Sequence, residues 1–170
     1  DWLAEGHGVS SWADHVGLRL PPGTRPTSQA VHGGPSKAVY AYPTEHYPFW
    51  RTVRAQAGVS LWDEPLPPGS IGENLSLAGI VESQVWIGDV LRFPHCALAV
   101  SEPRYPCFKL NAALGFKHAS KLMEQSSWCG YYLAVRELGT IAAGESFTLV
   151  PEPREVGSVA LLRAGSSRVA

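Results

Sequence analysis

Short apolar runs alternate with turn-forming residues along most of this chain. Glycine and proline, 17 and 14 in number, are spread throughout the 170 residues and interrupt the chain before long helices can form. Residues 80–93 predict two strands paired around the turn at Gly88 and Asp89. Four other segments rich in β-forming side chains also predict strands: residues 37–42, 96–101, 131–135 and 147–150.

Two segments instead have the three- and four-residue spacing of amphipathic helices. Residues 44–57 follow a proline, with Thr44 as the predicted N-cap and with Trp50 and Val53 on one apolar face. Residues 117–127 also gather their apolar side chains on one side. The elements together predict a mostly β domain, a barrel or a sandwich, with a few short helices.

The length of 170 residues fits a single domain with a sizeable core. Residues 1–30 form an irregular segment that we assign to this same domain, and within it only residues 16–20 alternate like a short strand. We expect residues 31–162 to form the folded domain and residues 163–170 to form a C-terminal tail.

The balance of charged residues argues against nucleic acid as a partner. Fourteen Lys and Arg against 15 Asp and Glu give a formal net charge of -1, which lacks the basic excess of nucleic-acid-binding proteins. We find no apolar run long enough for a membrane span and no export signal, so we expect a cytoplasmic protein without nucleic-acid or membrane partners. Three cysteines without a C-x-x-C pair predict free thiols.

Cys107 lies in the segment with the most distinctive chemistry, residues 101–111 (SEPRYPCFKLN). Pro103 ends the preceding strand, and Pro106 stiffens the loop that follows. Arg104 and Lys109 place two positive charges near the thiol, and nearby cations favour the thiolate, which is both a nucleophile and a metal ligand. An extended chain after Pro106 would point Cys107 and Lys109 to the same side. Packing as a small buried thiol is the alternative.

The other two cysteines lack nearby cations. Cys96 lies within an apolar run and Cys129 follows a tryptophan, so we interpret both as packing residues. The histidine spacing disfavours a zinc site. A catalytic pair of Cys107 with His32 or His46 stays open, because such partners meet in space rather than in sequence.

A second candidate site is the segment HGGPSK at residues 32–37. Its two glycines permit a turn whose backbone N–H groups converge on an anion, and Ser36 and Lys37 could add a hydroxyl and a charge. A plain tight turn before the next strand is the alternative. A third segment, GENL at residues 72–75, offers the carboxylate of Glu73 and the amide of Asn74.

Three segments in this order resemble the MOSC domain family, named after the C-terminal domain of molybdenum cofactor sulfurases. They are VHGGPSKAVYAYPTEHYPFW (residues 31–50), IGENLSLAGIVESQVWIGDVLRF (71–93) and SEPRYPCFKLN (101–111). The similarity runs over about residues 31–162 and is strongest to the YiiM-like branch. Three linked motifs in one order are more specific than any one of them.

The resemblance implies a β-barrel-like fold that holds a molybdenum cofactor, with Cys107 ligating molybdenum or carrying sulfur. Pyridoxal phosphate is not expected, because that chemistry belongs to a separate domain of the sulfurases. A thiolate suits such a metal, and local cations and backbone donors suit an anionic pterin phosphate. The residues then expected to bind the cofactor are His32, Gly33, Gly34, Ser36, Lys37, Asn74, Arg104, Lys109 and Asn111.

The function implied in this way is reduction of N-hydroxylated compounds such as hydroxylaminopurines, with electrons from a separate reductase. Two alternatives stay open: a persulfide carrier that uses Cys107 to supply sulfur for cofactor or cluster assembly, and a module that binds cofactor without catalysis. We leave open whether the chain forms a homodimer.

Overall fold

The computed structural model describes residues 7–9 and 35–166. The strand predicted within residues 16–20 lies outside them. Within the described part, no helix combines the length and the apolar character needed to cross a membrane.

Seven strands of the described part form the sheet: β1 (His7–Val9), β2 (Val39–Pro43), β3 (Leu75–Ala78), β4 (Val90–Arg92), β5 (Ala97–Pro103), β6 (Tyr131–Glu137) and β7 (Ser146–Val150). They close into a barrel in the order β1-β3-β2-β6-β5-β4-β7, and β7 pairs with β1. β2 and β3 run parallel, whereas the other neighbouring strands are antiparallel. The barrel-like fold that the sequence predicts is confirmed, as are its four separate strands, with small shifts of their ends.

Alternation along the strands divides most of the core into two clusters, and a third, small cluster contains Val90, Ala97 and Ala99. Residues such as Val39, Ala41 and Leu133 belong to the larger cluster, which gathers apolar side chains from β2 to β7. Tyr40 and Tyr42 point the other way and belong to a second cluster beneath the helices. β2 is therefore buried on both faces, and it joins the sheet to the helical layer.

The helices of the described part cover this second cluster. Trp50 of helix α1 (Tyr47–Gln56) is fully buried there, and its indole N–H donates to the Tyr42 hydroxyl at 2.5 Å. Short 3-10 turns at Pro35–Lys37, Thr44–His46 and Glu82–Gln84 complete the connections. The helices are α1 (Tyr47–Gln56), α2 (Lys109–Leu114), α3 (Ala119–Ser126) and α4 (Ser158–Ser166). α1 and α3 confirm the two predicted helices, and α4 crosses the tail boundary expected after residue 162.

Thr44 is not the N-cap of α1, contrary to the sequence prediction. It lies in the preceding 3-10 turn, and His46 takes the N-cap position without a side-chain capping bond. Pro48 lies in the first turn of α1. Because proline has no backbone N–H, one fewer donor at this helix end needs a capping partner.

The predicted strand pair within residues 80–93 is also wrong in its first half. Polar contacts replace a strand ladder there: the Glu82 carboxylate turns inward, and the Gln84 side chain accepts from the Val81 N–H at 3.0 Å. Trp86 forms a single bridge to Gly157. Only β4 is a strand, and it pairs with β5 and β7.

Gly130, directly before β6, occupies a tight backbone position. Its φ is +69°, and a Cβ atom there would lie 2.4 Å from the Ala41 carbonyl oxygen and 2.9 Å from ring atoms of Tyr40 and Tyr42. Its N–H donates to the buried Glu82 carboxylate at 2.7 Å. Only glycine fits this conformation and this contact together.

We expect Gly130→Ala to destabilise the fold by about 2 kcal/mol or more, because it combines a left-handed backbone with a clash against β2. Gly144→Ala is the control. Gly144 also has a positive φ of +78°, but nothing lies within 4 Å of the position that the new methyl group would take. Urea denaturation measures both free energies of unfolding. Equal losses in the two variants would contradict the close contact at Gly130.

Candidate functional site

Cys107 is exposed in the loop between β5 and α2. The chain turns there instead of extending, because the Cys107 carbonyl accepts from the Leu110 N–H at 3.0 Å. Residues two apart in a helical turn point about 200° apart. The expectation that Cys107 and Lys109 share one side of an extended chain is therefore wrong. Lys109 begins α2 and is itself exposed.

Arg104 enters the site from the same loop and is fixed over Tyr40. Its guanidinium carbon lies 4.8 Å from the Tyr40 ring centroid, and its backbone N–H donates to the Gly130 carbonyl at 3.2 Å. Burial lowers the pKa of Arg104, but the negative charges that Tyr40, Tyr132 and Cys107 carry when ionised raise that pKa above its ordinary value. Arg104 is therefore a permanent cation at the start of the loop that carries Cys107.

Lys37 provides a second cation on the other side of the paired tyrosines. Tyr40 and Tyr132 are opposite each other in the β2–β6 ladder, with ring centroids 5.5 Å apart. The Lys37 ammonium lies 5.5 Å from the centroid of the Tyr132 ring. We call these four residues, Lys37, Tyr132, Tyr40 and Arg104, the cation–tyrosine row. A cationic side chain therefore lies at each end of the tyrosine pair, whose rings are tilted by 45° to each other.

The turn that carries Lys37 is attached directly to β5 and β6. The Ser101 hydroxyl donates to the Ser36 carbonyl and lies 3.0 Å from the Tyr132 carbonyl oxygen. Lys37 also forms an ion pair with Glu102, with 3.3 Å between Nζ and Oε2. The second candidate segment thus meets the Cys107 segment in space at Ser36 and Lys37. The remainder of that segment, His32, Gly33 and Gly34, lies outside the described residues.

Asn74 and Asn111 have structural bonds in their described positions. The Asn74 side-chain oxygen accepts from the Tyr40 N–H at 2.8 Å, so this residue braces β2 beside the row. The Asn111 side-chain oxygen accepts from the Ser120 N–H at 2.8 Å in the first turn of α3. A role for either residue in cofactor binding stays a prediction.

The other two cysteines pack in the interior, as the sequence predicts. Burial raises the pKa of Cys96 to about 11, and burial with the neighbouring Glu82 carboxylate raises the pKa of Cys129 to about 12. Both thiols are therefore neutral near pH 7. Cys107 is the exposed thiol of the chain.

His46 is engaged away from the thiol loop. Its Nε2 lies 2.7 Å from the Glu82 carboxylate, and its ring stacks on Trp128 with a centroid separation of 4.6 Å. The side chain is 7% exposed. These contacts give His46 a structural role. The other pairing that the sequence left open, Cys107 with His32, cannot be compared because His32 lies outside the described residues.

Sequence reasoning missed the two tyrosines of the row. The alternation of apolar residues in β2 and β6 could have identified them, because it places Tyr40 and Tyr132 on the face away from Ala41 and Leu133. It also missed α4, whose Leu161 carbonyl accepts from the Tyr105 hydroxyl at 3.3 Å. That bond ties the Cys107 loop to the C-terminal helix.

Known proteins are similar to this chain over a range that includes these same segments. A family model described as the MOSC domain matches residues 28–148. YflK of Bacillus subtilis is 40% identical over 119 residues, and YiiM of Escherichia coli is 36% identical over 135 residues. A protein of Gibberella moniliformis named as a reductase is 35% identical over 129 residues.

These alignments include 70%, 79% and 75% of this chain but only 50%, 58% and 22% of the respective relatives. The chain therefore spans about half the length of the first two relatives. The crystal structure of Escherichia coli YiiM superposes with a TM-score of 0.66 at 31% sequence identity, covering 76% of this chain and 62% of that one. The sequence match, the barrel and the shared segments agree, and the chain belongs to the MOSC domain family.

Proposed function

We propose that this chain binds the molybdenum cofactor through the Cys107 thiolate and reduces N-hydroxylated compounds. The observation that carries the proposal is an exposed thiol on a loop whose Arg104 is held as a fixed cation between Tyr40 and the start of β6. MOSC domains are associated with this cofactor in general, which supports its choice.

The few metal-ligating side chains of the site suit a metal whose other ligands come from its cofactor. Within residues 7–9 and 35–166, no group of three or more His, Cys, Asp and Glu side chains could hold a metal ion. Cys107 can supply one soft sulfur donor, and a pterin cofactor supplies further sulfur atoms itself. A single exposed thiolate is therefore a fitting protein ligand for such a group.

The cation–tyrosine row fits the anionic part of the same cofactor. Lys37 and Arg104 supply positive charge, and the partly exposed Tyr132 offers an aromatic face. A phosphate group binds favourably where fixed cations and backbone donors converge. The row and the Cys107 loop meet at Arg104, so one ligand could contact both.

The proposed reaction consumes two electrons and two protons, converting an R–NH–OH group to R–NH₂ and water. The bound molybdenum group would supply the electron transfer, with electrons delivered by a separate reductase. The chain's own residues would hold the cofactor through Cys107 and keep positive charge beside it through Arg104. The relative named as a reductase supports this reaction class.

Cys107 is expected to be the thiol that reacts first with iodoacetamide in the folded protein. Burial raises the pKa values of Cys96 and Cys129, so both remain neutral thiols, which react slowly with iodoacetamide. Peptide mass spectrometry after a short reaction at pH 8 should locate the label on Cys107, and labelling of all three should require unfolding. Equal labelling of Cys129 in the native protein would contradict the burial described above.

Cys107→Ser should abolish both molybdenum retention and N-hydroxy reduction in protein expressed in a cofactor-competent host. The hydroxyl is close in size to the thiol but is a poor ligand for a soft metal, and the exposed position should keep the melting temperature unchanged. Elemental analysis and turnover of a hydroxylaminopurine measure the two effects. Full molybdenum content and turnover in Cys107→Ser would refute the ligand assignment.

The exposure of Cys107 also favours a second candidate, a persulfide carrier, because a partner protein could reach the thiol. Transfer from a donor persulfide would convert Cys–SH to Cys–S–SH and leave the donor as a thiol. Intact mass spectrometry after incubation with such a donor should then show one added sulfur, lost in Cys107→Ser. A wild-type protein that keeps molybdenum and gains no sulfur would exclude this role.

A further inference from the structure

Glu102 is an acidic residue in direct contact with the cation–tyrosine row. Its carboxylate oxygen lies 3.3 Å from the Lys37 ammonium, and the two side chains are 26% and 33% exposed. Glu102 comes from β5 and Lys37 from the turn before β2, so the ion pair joins the two segments of the site. The ammonium also faces the Tyr132 ring at 5.5 Å.

This pair changes the charge that the row offers to a ligand. Without Glu102, Lys37 and Arg104 would present two positive charges. The carboxylate offsets the charge at the Lys37 end, whereas the Arg104 end packs against Tyr40 and the Met123 sulfur. An anion that approaches Lys37 must therefore compete with a carboxylate already in contact with it.

We propose that Glu102 is an affinity-determining residue of this site, because it competes with the anionic group of the ligand for the Lys37 ammonium. The inference rests on the proposed function, which places a phosphate-bearing cofactor against the row. The ligand class is a phosphate monoester or inorganic phosphate. Binding would exchange the Glu102 carboxylate for a phosphate oxygen on Lys37, and no covalent bond changes.

The partial exposure of the pair makes this exchange feasible. Ion pairs that water can reach are weak, so a dianionic phosphate can displace a single carboxylate. The carboxylate also repels a bound phosphate after it has moved aside. Removing its charge should therefore strengthen phosphate binding about three- to tenfold, and the gain should shrink as salt is added.

The test is titration of the full chain with inorganic phosphate, followed by phosphorus NMR or calorimetry at low ionic strength. Glu102→Gln keeps the side-chain shape and should lower the dissociation constant three- to tenfold. The double variant Lys37→Met with Glu102→Gln should lose that gain. Glu137→Gln is the matched control, because Glu137 pairs with Arg92 at 3.0 Å elsewhere on the barrel.

A gain that appears in Glu102→Gln and disappears with Lys37 supports the proposal. An unchanged dissociation constant in Glu102→Gln, a gain that survives without Lys37, an equal gain in Glu137→Gln, or no phosphate binding in any variant would overturn it. Failure of this proposal can be distinguished from failure of the proposed function. The protein could retain molybdenum through Cys107 while Glu102→Gln leaves phosphate binding unchanged. In that case only the role of Glu102 fails.

Discussion

Gly130 joins three parts of the protein at one point. Its N–H donates to the buried Glu82 carboxylate, its carbonyl accepts from the Arg104 N–H, and the space where a side chain would begin is filled by the backbone of β2. The glycine thus brings the loop after β5 against Tyr40. The position of Arg104, and with it the direction of the loop that carries Cys107, depends on this contact.

The rest of the site follows from the register of β2 against β6. Tyr40 and Tyr132 are cross-strand partners, so their rings meet on the face of the sheet away from the barrel interior. Lys37 before β2 and Arg104 after β5 then lie at the two ends of the ring pair. Residues distant in the sequence are brought together because the barrel pairs their strands, and the loop that carries Cys107 begins at Arg104.

Much of this arrangement could be predicted from local sequence. The prolines around Cys107 and the alternation in β2, β5 and β6 indicate the strands and the loop, and three ordered motifs indicate the family. The bend of residues 107–111 into a helix, the inward turn of Glu82 and the pairing of Lys37 with Glu102 could not be predicted. Each of these depends on contacts between segments far apart in the chain, which periodicity does not encode.

X-ray absorption at the molybdenum edge tests most directly whether the Cys107 sulfur bonds to molybdenum. Purified protein from a cofactor-competent host should show one more sulfur neighbour of molybdenum than the same cofactor shows free in solution. An identical sulfur count in the two samples would contradict this bond, and Cys107 would then require a different function.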